Sequence, residues 1–84
     1  MAHKPVLIVS LTTCGHCAEA KAFFRRHGIE PTVIEFDSVG VGLKRKIAAD
    51  MRAQKVRGFP FVMIGGTAVE GFDPEAYHHL LSMN

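Results

Sequence analysis

Apolar residues come in short blocks along this chain, and the spacing within each block predicts an element. Val6 to Ser10 is a β-branched-rich run that reads as a buried strand. The period then changes. Ala20, Phe23, Phe24 and His27 fall at i, i+3, i+4 and i+7, one face of a helix, and Gly28 suits its C-terminal turn. Thr32 to Phe36 reads as a second strand, and two strands joined by a helix of this length predict a βαβ unit with a parallel pair. Ser38 to Gln54 predicts a second helix that starts within Ser38 to Gly42. Val39, Leu43, Ile47 and Met51 repeat every four residues on one side of it, while Gly40 and Gly42 blur its first turn. Phe61 to Ile64 is a third strand, Gly65-Gly66 a hairpin turn and Thr67 to Val69 the antiparallel partner. Asp73-Pro74-Glu75 has the form of an N-cap, a first-turn proline and an acidic first turn. Tyr77, Leu80 and Leu81 give the final short helix its apolar face. The predicted order is β-α-β-α-β-β-α.

Composition narrows the class. With 84 residues, 48% of them apolar, the chain is expected to form a single domain, 1–84, with a marginal core. Ten Lys and Arg against eight Asp and Glu give a net charge of +2, too balanced to argue for nucleic acid or an anionic membrane. Lys44-Arg45-Lys46 reads as the solvated face of the second helix, with Lys46 and Asp50 at an i, i+4 spacing. No apolar run approaches the roughly 20 residues needed to span a bilayer. The apolar stretch after Lys4 is too short for a signal peptide, and Leu11-Thr12-Thr13-Cys14 resembles a lipoprotein cleavage box only faintly. The expectation is a soluble cytoplasmic protein whose two cysteines cycle rather than stay locked.

The chemistry centres on Cys14-Gly15-His16-Cys17, between the first strand and the first helix. Two cysteines three apart in that setting can close a disulfide. The helix start presents unpaired N–H groups and partial positive charge, so Cys14 is expected to be the attacking thiolate. Cys17, one turn deeper, is expected to be shielded and to resolve the mixed disulfide. No tightly bound cofactor and no metal is required. A protonated His16 would favour the thiolate and make the pair more oxidising; the plainer alternative is an exposed turn residue. A structural disulfide, or a zinc site completed by a histidine, are the rivals, but His78 and His79 are adjacent on the last helix and offer no convincing ligand spacing. Phe59-Pro60 follows Gly58 and precedes the third strand, where proline is tolerated and a cis bond is possible. Phe23, Phe24, Phe36 and Phe61 are expected in the core. Phe59 and Phe72 are expected to form an apolar rim suited to a protein substrate.

These features together resemble the glutaredoxin family of thioredoxin-fold proteins over essentially the whole chain. Gly71-Phe72-Asp73 stands where that family has its Gly-Cys-Asp or Gly-Phe turn. The resemblance implies an α/β thioredoxin-like fold with a mixed four-stranded sheet, and a thiol–disulfide oxidoreductase. It implies that Pro60 is cis and packs against the cysteine pair. It further implies that the Phe59 backbone pairs with the cysteinyl part of a bound glutathione or peptide, as an added strand. Gly71 would belong to the same binding groove, and the backbone N–H groups of Phe72 and Asp73 would hold a γ-glutamyl carboxylate at the start of the last helix, a physically sensible anion site. The chain also departs from the family. Gly15-His16 replaces the usual Pro-Tyr, and Cys-Gly-His-Cys is also the motif of protein disulfide isomerases, which are larger and carry tryptophan where Thr13 stands. Leu11 occupies the place of a glutathione-contacting lysine, Gly58-Phe59-Pro60 that of Thr-Val-Pro, and Glu70 that of a glycine. Gly71-Phe72-Asp73-Pro74 is similar to the ribonucleotide-reductase-associated redoxins, which draw electrons from thioredoxin reductase. Lys55 and Arg57 either bind the glycyl carboxylate of glutathione or are solvated loop charges. The implied partners of a monomer are therefore glutathione as reductant, thioredoxin reductase, or both, with disulfide-containing proteins as substrates. A [2Fe–2S] cluster held by the first cysteine and glutathione between two subunits is the alternative of a different class.

Overall fold

The computed structural model describes residues 4–83. Its elements are β1 (Val6–Ser10), α1 (Gly15–Arg26), β2 (Thr32–Glu35), α2 (Val41–Ala53), β3 (Phe61–Ile64), β4 (Thr67–Glu70) and α3 (Pro74–Ser82), with a 3-10 turn at Phe36–Ser38. The strands lie in the order β2-β1-β3-β4. β1 runs parallel to β2 and antiparallel to β3, and β3 runs antiparallel to β4. This is the mixed four-stranded sheet expected from the sequence.

β1 is central because its side chains are apolar on both faces. Alternate residues point to opposite sides of a strand. Val6 and Ile8 accordingly join Ala20, Phe23, Phe24, Val62 and Tyr77 in one core, under α1 and α3. Val9 joins Ile47, Met51, Val56 and Phe61 in a second core, under α2. The helix ends follow local chemistry. Gly28 takes φ +75° just beyond α1, and the Ile29 N–H reaches back to Phe24 O at 2.9 Å as its side chain enters the first core. Asp73 caps α3 by accepting the Ala76 N–H at 3.1 Å, ahead of Pro74.

The structure departs from the sequence reading in detail. β2 stops at Glu35, and Phe36 opens the 3-10 turn. Its ring is only half-buried, at the edge of the second core, 5.3 Å from that of Phe59. α2 begins at Val41 with Gly40 as its cap, so Val39 lies outside the helix. Leu43 is 42% exposed, because α2 meets the second core only from Ile47 onwards. Lys46 and Asp50 do not pair; the ion pairs found among the described residues are His16–Glu19, Lys21–Glu35 and Arg25–Glu30. No described helix is long and apolar enough to cross a membrane.

Two polar ties fasten the C-terminal ends of β1 and β2, and the sequence pattern showed neither. The fully buried Ser10 donates its hydroxyl to Glu35 Oε1, and Lys21 Nζ meets Glu35 Oε2 at 2.9 Å. Asp37 accepts the Thr12 hydroxyl at 2.6 Å and the Thr12 N–H at 3.2 Å. The Ser10 hydrogen bond, then Lys21, holds the Glu35 carboxyl below its ordinary 4.5. The Thr12 hydrogen bond does the same for Asp37 relative to 3.8.

Two measurements check this account. Ile8→Val, which removes one methylene from the fully buried centre of β1, is expected to cost about 0.5–1.5 kcal/mol in urea unfolding. The lowered carboxyls contribute stability that is present above their ordinary values and lost as pH falls through their folded values. The urea midpoint is therefore expected to drop as pH falls below 4.5. Glu35→Gln is expected to start lower at about pH 7 and to lose less between there and about pH 3.

Candidate active site

Register gathers the residues singled out from the sequence at one end of the sheet. Ser10, the last residue of β1, pairs with Glu35, and Val9 pairs with Phe61. The turn that leaves β1 toward Cys14 therefore lies beside Pro60, which enters β3. The Gly71 N–H donates to Pro60 O at 2.8 Å and extends the β3–β4 ladder past the Phe61–Glu70 pair. Gly71, at φ +79°, then turns the chain into Phe72 and Asp73 at the head of α3. Tyr77 braces this turn. It is fully buried, and its hydroxyl donates to Gly71 O. The sequence reading took Tyr77 only as part of an apolar face; a buried phenol needs a partner, which was the available signal.

The two cysteines are placed asymmetrically. Cys14 is the N-cap of α1, in extended conformation, and its Sγ accepts the Cys17 N–H at 3.3 Å. A sulfur so placed receives an amide dipole and the positive end of the helix. Cys14 is half-buried and Cys17 is fully buried, and both are free thiols. Burial, followed by the hydrogen bond with Cys14, pushes the Cys17 thiol up to about 11; the Leu11 backbone and the Lys21 charge pull against it. Cys17 is thus a neutral thiol in its resting state. Gly15 and His16 are exposed. The His16 ring turns to Glu19, with Nδ1 at 3.0 Å from Oε1, and its side chain is 73% exposed.

The surroundings carry charges of both signs. The Phe59–Pro60 bond is cis, and Pro60 is fully buried. Phe59 lines a groove of about 310 Å³ with Phe36, Met51, Arg52 and Arg57. Arg57 and Lys55 are both exposed. A Cβ on Gly58 would sit 3.4 Å from Glu70 Oε2, so that carboxylate lies against the segment leading into Phe59. Phe72 is half-buried, with its ring 6.0 Å from Tyr77, and the Asp73 carboxylate is engaged in capping α3. A larger groove, about 490 Å³, lies on the α1–α3 face. Phe23, Pro74, His78 and His79 are part of its lining, and neither cysteine is. Among the described residues, no group of three or more His, Cys, Asp or Glu could hold a metal ion.

Comparisons with known proteins agree with this geometry. The family model described as Glutaredoxin matches residues 6–69. Monothiol glutaredoxin-S10 of Oryza sativa subsp. japonica is 36% identical over 73 residues, covering 84% of this chain and 43% of the relative. Glutaredoxin-C5, chloroplastic, of Arabidopsis thaliana is 46% identical over 35 residues, 42% of this chain and 20% of that one. The chain thus spans less than half the length of these curated relatives. Among solved structures, the glutaredoxin of Archaeoglobus fulgidus superposes with a TM-score of 0.83 at 26% identity, covering 95% of this chain and 88% of that one. A buckwheat glutaredoxin–glutathione complex gives 0.77 at 29% identity, covering 94% and 77%. The glutaredoxin-like NrdH-redoxin of Escherichia coli gives 0.76 at 25% identity, covering 95% and 99%. A thioredoxin-like sheet with a two-cysteine helix start, matched by the family model from the first strand to the last, makes this chain a member of the glutaredoxin family of thiol redox proteins.

Proposed function

We propose that this protein reduces disulfides, glutathione mixed disulfides among them, by dithiol exchange between Cys14 and Cys17. The unequal placement of the two sulfurs carries the reading. The Cys14 thiolate attacks one sulfur of the substrate disulfide, forming a Cys14–substrate disulfide and expelling the other sulfur as a thiolate, which takes a proton from solvent. Cys17 then loses its proton and attacks Cys14 Sγ. The Cys14–Cys17 disulfide forms, the second substrate thiolate leaves, and two electrons have passed from the protein to the substrate. No metal or tightly bound cofactor takes part. Gly15 leaves the approach to the pair open, with nothing within 4 Å of where a side chain would begin. The His16 imidazole, engaged by Glu19, adds positive charge near the pair when protonated.

The substrate groove of this reading runs over Pro60. The Phe59 backbone pairs with an extended cysteinyl segment, Gly71, Phe72 and Asp73 meet its carboxylate end, and Arg57 meets the opposite one. The buckwheat relative in complex with glutathione supports this use of the groove. A specific observation favours a second reading for the electron donor. Glu70 brings a carboxylate against Gly58, and Leu11 gives no cation, so a tripeptide with two carboxylates is poorly matched. NrdH-redoxin of Escherichia coli, with its thioredoxin-like activity profile, supports thioredoxin reductase in that role. Two free thiols poised to cycle suit a reducing compartment such as the cytoplasm.

Two experiments test these readings. Cys14→Ser is expected to show no turnover above background with any disulfide, and residual activity would overturn the mechanism. Cys17→Ser is expected to keep a one-thiol route only when glutathione is the reductant. With the unmodified chain, NADPH consumption on one model disulfide is compared between glutathione with its reductase and thioredoxin reductase. Fast turnover with glutathione assigns Phe72 and Asp73 to its γ-glutamyl end. Turnover with thioredoxin reductase alone reassigns them to protein docking.

A further inference from the structure

We propose that Lys21, held in place by Glu35 and Ser10, is a positioning charge that favours ionisation of Cys17 in the resolving step. This rests on the dithiol reading above and concerns its second half. Lys21 follows Cys17 by four residues on α1, so the two side chains lie on one face, a turn apart. A lysine normally extends its ammonium into water, but this side chain is only 20% exposed. It turns inward to Glu35 Oε2 at 2.9 Å, and the other oxygen of Glu35 is fixed by the fully buried Ser10 hydroxyl. Register makes the anchor rigid, because Ser10 and Glu35 are paired residues of adjacent strands.

Besides the Leu11 backbone, which also favours the thiolate, the titratable and charged groups that act on Cys17 come from three elements. Cys14 and Lys21 belong to α1 and its cap, Glu35 to β2 through Lys21, and Tyr77 to α3. Burial holds Tyr77 far above its ordinary value, so it is uncharged at working pH. Cys14 is consumed in the mixed disulfide when Cys17 must react, and its charge is gone. Lys21 is then the cation left to favour the Cys17 thiolate, and it pulls in the direction the step requires. The step balances as before. The Cys17 proton passes to solvent, its sulfur bonds to Cys14 Sγ, and the Cys14–substrate bond breaks with both electrons leaving on the substrate sulfur. A purely architectural Lys21–Glu35 bridge would leave that step's pH dependence unchanged.

Single turnover with excess 5,5′-dithiobis(2-nitrobenzoate) separates the two halves. Release of the first coloured thiolate scales with reagent concentration and reports attack by Cys14; release of the second is independent of it and reports closure by Cys17. In Lys21→Met, closure is expected to slow about three- to tenfold at neutral pH, the effect of removing one nearby opposite charge. Its pH profile is expected to move to higher pH while the first phase is unchanged. Lys21→Arg is expected to restore it. A folded Lys21→Met with closure rate and pH profile unchanged would overturn the proposal. Should that variant not fold, Lys21→Gln is read the same way. Glu35→Gln is expected to slow closure by releasing Lys21; faster closure means that Glu35 only cancels the Lys21 charge, and overturns the anchoring role. If the parent chain releases no second thiolate, or releases it only by a further reaction that scales with reagent, the dithiol reading fails instead, and the two failures are told apart.

Discussion

A helix begins with amide groups that have no partner within it, and here one of them is satisfied by sulfur. Cys14 occupies a position that serine, threonine, aspartate or asparagine usually fills, and the Cys17 amide donates to it. That exchange of oxygen for sulfur sets a thiol where the helix offers an amide and the positive end of its dipole. The rest of the molecule serves to keep the helix start where it is. β1 delivers the chain from the middle of the sheet, and Ala20, Phe23 and Phe24 fix the helix against the first core. Asp37 grips Thr12 at the entrance to the turn.

Strand order then decides what surrounds the sulfur. With β1 and β3 antiparallel at the centre, the end of the first strand faces the beginning of the third, and β4 returns its own end to the same place. Three segments distant in sequence meet without any long loop. The charges near this end come from Arg52 at the end of α2, Arg57 in the loop before β3 and Glu70 at the end of the edge strand β4, and none of them belongs to either core. They can therefore vary without disturbing either core.

Much of this was legible in the sequence because it was written in periodicity and punctuation. β1 and β3 were bounded correctly by their apolar runs, and α3 by Asp73-Pro74. The Cys14–Cys17 spacing and Phe59-Pro60 mark the candidate site in the sequence itself. What stayed hidden depends on contacts across the chain. Ser10, Lys21 and Glu35 look like a strand-end serine and two ordinary surface charges until pairing of β1 with β2 joins them. Leu43 fits the apolar repeat of α2, but α2 reaches the sheet only from Ile47. Phe36 fits the alternation of β2, but the chain turns one residue earlier. Periodicity reports which face of an element is apolar, not how far along it the neighbouring layer extends.

The burial of Cys17 directly behind Cys14 also bears on damage by peroxide. Oxidants reach the half-buried Cys14 first, while Cys17 is closed to solvent. A sulfenic acid on Cys14 has a thiol one helical turn away, and condensing with it yields the same Cys14–Cys17 disulfide as the proposed exchange, with loss of water. That route competes with the irreversible climb to sulfinic acid, so an oxidative hit on Cys14 is converted into a form that reducing equivalents can reset.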